Sequence, residues 1–492
     1  MILRFLLFWS ITCCVTFSLE AQVIKSEERF PVKGYSVFEN GYPIQVVPGP
    51  PDQFCFLEFW NSGAQGRTRE GHYIQCYGTR NYVEFWYQPA QHRGFHDFEV
   101  KGLEKVGNNF WVFGYKVPED GKHLQTFARI FDPEGNPAHE DPISISNDER
   151  KRSNSFEDRW IVAPKGKFVG WMGESGRKTY LSLIHGNGTP LWDTVMTLPH
   201  IEEDYRLKRA LLKENGTWVF LMLPKNPLPG KPALITSYNG FKESWSELWV
   251  NAHPTGEIHS ADMLFTSEGE LIISGLLTNT GESSLMNGEN LSGSRRMKSL
   301  SGMFFHRYTT NPRDDMAWVD GVQELTPVPA RWIHTYGKEE RIPNFSEMQL
   351  IADRNHVVML LEERFKNRKR QCAYDIGAVC FQIESGKSLW GRRIKKRQRT
   401  SSSPAYLSFV PGISGKKLRL VYLSEINTRG NLVCTSIELD SGKRKDKAMA
   451  SNDRADYQFF PDQSGMVSTQ NMVLIGRGGP LQNDFKLMTV SF

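Results

Sequence analysis

Between residues 209 and 221 a short apolar stretch (Ala210, Leu211, Leu212) meets a polar turn (Lys213, Glu214, Asn215, Gly216) and then a stronger apolar stretch (Trp218, Val219, Phe220, Leu221). The pattern returns at 262–273 around Glu268 and Gly269, at 160–170 around Gly166 and at 350–359 around Asn355, with weaker copies near Gly107, Gly415 and Gly465. Short runs bounded by Asn-Gly or Glu-Gly predict β-hairpins, because those residues supply the positive φ that a tight turn needs. A second unit follows each first one: two strands around a Gly-containing turn, the later strand often carrying Trp. Examples are 181–192, 381–390, and 234–240 leading to Trp245 and Trp249. Two hairpins per period of roughly fifty to sixty residues predict one four-stranded antiparallel sheet per period.

A chain of 492 residues would ordinarily divide into two or three cores. Repeats are the exception, because each unit buries its apolar face against the next. The expected fold is therefore all-β, a single β-propeller of seven or eight four-stranded antiparallel blades spanning 22–492. Candidate blades begin near Tyr42, Phe98, Arg159, Tyr205, Asp262, Met348, Tyr406 and Tyr457. The last lacks a fourth strand before Phe492, and the segment around Tyr35, Ser36, Val37 and Phe38 is expected to supply it and close the ring. If the first unit is not a blade, the ring has seven. No segment carries a sustained helical period, and the Asn-, Ser- and Gly-rich stretch at 278–301 reads as a mobile insertion. The pattern resembles exported bacterial propeller-repeat proteins over nearly the whole mature chain. It lacks the His and Trp-Asp signature of WD-type repeats and the double glycine of Kelch repeats, so the resemblance implies an architecture and no activity.

The N-terminus places Arg4 before an apolar run from Phe5 to about Phe17, with Ala21 at a small-residue cut site. This predicts a secretory signal peptide at 1–21 and an exported protein, periplasmic, cell-surface or extracellular. No other apolar run approaches membrane-spanning length, and a soluble monomer is expected. Five cysteines remain after residue 21. Cys55 and Cys76 are equidistant from the middle of one hairpin and fall opposite each other, where a disulfide is sterically feasible. Cys380 and Cys434 occupy matching places in successive repeats, too far apart to bridge, and read as small core residues.

In a propeller, the connections from the outer strand of one blade to the inner strand of the next lie on one face around the axis. Six of the twelve histidines fall in the segments expected there: His92, His96, His200, His253, His259 and His334. An acid recurs where each inner strand is expected to begin, at Asp97, Asp158, Asp204, Asp262 and Asp456, with Glu347 in the sixth copy. The candidate ligand-binding face thus comprises His96, Asp97, His200, Asp204, His253, His259, Asp262 and His334. The preferred reading of the acids is mechanical: a short carboxylate accepts backbone N–H bonds and staples each blade. The alternative is a ring of acids binding a cation, a cationic ligand or a sugar.

A second cluster is basic: Arg368, Lys369 and Arg370 in a turn of the sixth blade, then Arg392, Arg393, Lys395 and Lys396 on its outer strand. It suits a polyanion, although Lys and Arg on an outer strand also discourage edge-to-edge pairing. The net charge of +5 does not by itself indicate nucleic acid. Neither a nucleophile elbow, a phosphate-binding loop with Lys, a His-Glu-x-x-His helix nor a calcium loop occurs, and no cofactor or metal is implied. The sequence therefore favours a non-enzymatic ligand- or protein-binding scaffold, with a protein or glycan as partner. A carbohydrate-active hydrolase or lyase using crossover acids and a polyanion-binding surface protein are the alternatives.

Overall fold

The computed structural model describes residues 24–31, 43–60, 71–79, 84–90, 98–116, 123–151, 157–175, 177–201, 204–251, 256–279, 300–329, 334–336, 339–341, 345, 347–367, 370–400, 407–425, 432–450, 458–477 and 484–492. The signal segment 1–21, most of the 278–301 insertion and the segment 35–38 lie outside them. Among the described residues there is no α-helix, and no helix long and apolar enough to cross a membrane.

The chain is an eight-bladed β-propeller. Seven blades are four-stranded antiparallel sheets in simple sequence order, and the eighth combines the two chain ends. Successive blades start with the strands Pro43–Pro48, Phe98–Val106, Glu157–Val162, Tyr205–Leu212, Gly256–Phe265, Glu347–Ala352 and Phe409–Ser414. These first strands pack against one another around the axis and form the inner wall. In blade 8 the inner position is split between Gln458–Phe459 and Gly465–Met466, followed outward by Asn471–Arg477 and Asp484–Ser491. The outermost strand is the N-terminal Ile24–Pro31, paired antiparallel with the C-terminal strand, Phe30 opposite Phe485. Ring closure by an N-terminal strand is as expected, but the closing strand lies upstream of 35–38.

The hairpin chemistry holds in detail. Gly216 and Gly269 sit at φ +81° and +84°, the left-handed region that a turn needs and that a Cβ disfavours. Asn187 and Asn215 accept the backbone N–H of Thr189 and Thr217 at 3.0 and 3.1 Å, so these two Asn-Gly dipeptides are turns. One expected start was wrong. Blade 5 begins at Gly256, six residues before Asp262, because its inner strand continues past a bulge between Ile258 and Ser260.

The core is a ring of interfaces. Alternate residues of a strand face opposite neighbours, so Phe54 and Phe56 pack with Val473 and Ile475 of blade 8 while Cys55 and Leu57 pack with Phe110 and Val112 of blade 2. Between blades 3 and 4, Trp218 covers Gly170, where a Cβ would lie 2.4 Å from the indole. Fully burying one such large apolar side chain contributes about 1.5–3 kcal/mol.

Candidate functional site

Several of the expected crossover residues, His96, Asp97 and His253, lie outside the described residues, as do Arg368 and Lys369 of the basic cluster. The others do not converge on one site. His334 opens a short hairpin between blades 5 and 6, opposite Arg341. His259 and Asp262 are not in a crossover at all but within the inner strand of blade 5, His259 as the extra residue of its bulge. His200 and Asp204 occupy the crossover between blades 3 and 4, whereas His334 stands apart in the one between blades 5 and 6.

Asp262 is buried, and its Oδ2 accepts the backbone N–H of Leu350 in the inner strand of blade 6 at 3.1 Å. Its Oδ1 lies 3.8 Å from Nε of Arg209 on the inner strand of blade 4. Burial pushes the carboxyl up, and Arg209 partly offsets that. Gln45 plays a matching part in blade 1, its Oε1 accepting the N–H of Leu103 in blade 2 at 3.0 Å. An inner strand has no sheet neighbour on its axial side, so its N–H groups need acceptors. A polar side chain on the preceding blade supplies one. The staple is real at Asp262, but it joins blade to blade rather than closing a crossover turn.

His200 and Asp204 belong to a built cluster at the crossover end of blade 4. His200 takes φ +61°, and its Nε2 lies 3.1 Å from Oε1 of Glu247. Its ring meets Trp249 edge-on at 5.3 Å and Tyr205 at 6.4 Å, while Tyr205 and Trp249 are 6.0 Å apart. Asp204 pairs with Lys231 at 2.7 Å and accepts the Lys225 N–H through its carbonyl at 2.6 Å. These bonds hold the loop 225–232, which reaches blade 5 through Gly230 N–H and the Gly256 carbonyl at 3.2 Å. Leu228 at its tip is 56% exposed, and Trp249 is 42% exposed. Sequence reasoning did not single out Trp249, Leu228 or Glu247. The available signal was Pro227-Leu228-Pro229, an aliphatic residue framed by two prolines in a loop.

The basic cluster divides. On the outer strand Ser388–Thr400, Ile394, Lys396, Gln398 and Thr400 are buried while Lys395, Arg397 and Arg399 are exposed. Lys396, expected at the surface, is 2% exposed and forms an ion pair with Glu362, which also bonds Arg364 and, at 2.9 Å, Ser408. Burial lowers the Lys396 ammonium to about 8 despite that partner. Arg393 donates to Asp375 at 2.7 Å, and Arg392 to the Gly442 carbonyl at 2.8 Å. Three of the four outer-strand cations named from the sequence are thus engaged inside the molecule. Arg370 and Lys395 are exposed.

No protein-family model matches the chain, and no curated protein matches it. Solved structures do. A Dos1 propeller aligns with a TM-score of 0.45 at 8% identity, covering 94% of this chain and 95% of that one. The polysaccharide lyase Uly1 aligns at 0.41 and 10%, covering 92% and 99%. The propeller domain of the Trilobed protease from Pyrococcus furiosus, described as having an open velcro topology, aligns at 0.37 and 8%, covering 80% and 95%. No activity is carried over from any of them.

Proposed function

We propose that this protein is a non-enzymatic binding scaffold that holds a protein partner on its crossover face at blade 4. The observation that carries this reading is the exposure of Trp249 and Leu228 beside polar groups already paired with each other. Large aromatics on a fixed support are typical anchors of binding surfaces. An aliphatic tip such as Leu228 suits an apolar protein surface, whereas Trp249 alone would serve a sugar ring equally well. The enzyme reading is disfavoured because, of the buried carboxylates among the described residues, Asp262, Glu362 and Asp375 are each tied to a neighbouring strand or cation. The test presents the full chain to a displayed peptide library and a glycan array, with Trp249→Ala and Leu228→Asp as counter-screens. A peptide lost at least tenfold by both variants, at unchanged melting temperature, is expected. Binding of glycans that needs Trp249 but not Leu228 would replace the protein partner by a sugar, and depolymerisation of a polysaccharide would overturn the scaffold reading.

A second reading rests on the outer strand of blade 6. Lys395, Arg397 and Arg399 recur at alternate positions, roughly 7 Å apart. This ladder suits an acidic polymer, and Lys395→Glu with Arg397→Glu is expected to abolish salt-sensitive retention on a sulfated polysaccharide. Retention unaffected by the pair would remove this reading.

A further inference from the structure

Blade 1 contains a facing pair of cysteines. Cys55, on strand Gln53–Trp60, stands directly opposite Cys76, on strand Gly71–Gly78. Residues directly opposite across an antiparallel pair bring their Cβ atoms to about 4.5–5.5 Å, close to the separation a disulfide spans. Here the two sulfurs are 2.7 Å apart, as thiols. Both residues are fully buried, among Val47, Leu57, Ile74 and Phe110. The other described cysteines lie in blades 6 and 7, away from this hairpin. Cys372 and Cys380 share one strand, and Cys434 lies in a different core cluster from Cys380.

We propose that Cys55 and Cys76 are oxidised to a cross-strand disulfide that fixes blade 1. The thiolate of one attacks a small-molecule disulfide such as oxidised glutathione, releasing one glutathione as thiol. The second thiolate then displaces the other glutathione, so the pair loses two protons and two electrons and the oxidant is reduced to two thiols. Burial pushes the Cys55 thiol up, which makes the attacking thiolate scarce once the blade has packed. The bond therefore forms while the hairpin assembles and is afterwards shielded from reductant. Its effect reaches the ring seam, because Phe54, Phe56 and Tyr77 on the opposite face of the same hairpin pack against blade 8.

The test refolds the full chain with reduced and oxidised glutathione, then denatures, alkylates and maps it without reduction. The expected result is one linked pair of peptides, lighter by two hydrogens, joining Cys55 to Cys76, with Cys372, Cys380 and Cys434 alkylated. The oxidised protein should melt several degrees above its reduced form, and the Cys55→Ala, Cys76→Ala double variant should lose that difference. Recovery of both Cys55 and Cys76 as alkylated thiols after that refolding and denaturation overturns the proposal. So does a link from either to another cysteine, or an oxidised-minus-reduced difference that persists in the double variant.

Discussion

A buried carboxylate facing a backbone N–H is the smallest working part of this molecule, and Asp262 is its clearest case. Removing its side chain takes the acceptor from the Leu350 N–H. Asp262→Ala is expected to lower stability by about 1–3 kcal/mol, the usual cost when a buried donor loses its partner. Asp262→Asn retains an acceptor without the charge and should cost less, while Asp204→Ala, losing an exposed pair with Lys231, should change stability by only ~0–1 kcal/mol. The pH dependence has a defined sign. Because burial raises the Asp262 carboxyl in the folded state, the native protein binds that proton more readily than the unfolded chain. Its contribution is largest below the unfolded value and is lost as pH rises through the raised one. Urea denaturation between pH 4 and 7 checks this: wild type minus Asp262→Asn should favour wild type increasingly toward acid. A difference growing in the other direction would mean that Asp262 is held charged. The sequence showed acids recurring near strand starts but not that Asp262 is buried against a backbone N–H, since the residue that donates the bond lies 88 positions away in the next blade.

At the scale of a strand, periodicity sorts what composition lumps together. Lys395 and Lys396 are neighbours in sequence, yet a period of two sends one to solvent and the other against Glu362. Lys396→Ala is expected to cost about 3 kcal/mol, at the low end for breaking a buried ion pair, because Arg364 and Ser408 still serve Glu362. Lys395→Ala should stay within about 0.5 kcal/mol. Chemical denaturation of the two variants decides it, and equal losses would mean that the alternation does not govern their energetics. The same periodicity made the hairpins legible: the Cys55–Cys76 register and most blade starts follow from turn glycines and apolar runs. Where a bulge interrupts the alternation, at His259, it misled. The sequence did not flag exposed Trp249 or Leu228 as a site, since an outer strand and a loop tip acquire their exposure only from the arrangement of neighbouring blades.

Over the whole ring, stability depends on one non-local pairing. Seven blades are formed from contiguous chain, and only blade 8 brings residues 24–31 to residues 484–491. Loop closure across so many residues costs little more entropy than across half as many, since the cost grows only with the logarithm of length. The pairing hides the edge of Asp484–Ser491, where Met488 and Val490 are buried. An unpaired, apolar edge strand is a template for association. Deleting residues 24–31 is therefore expected to leave seven blades folded but to expose that edge. Circular dichroism should retain its β signal without helix, the melting temperature should fall, and light scattering should report concentration-dependent association. Adding the excised segment as a peptide should reverse the association by reoccupying the same register, Phe30 against Phe485. A truncated chain that stays monodisperse with an unchanged melting temperature would show that the seam holds through the faces of blades 1 and 8 alone, with Phe54 and Phe56 against Val473 and Ile475 sufficient to keep the ring shut.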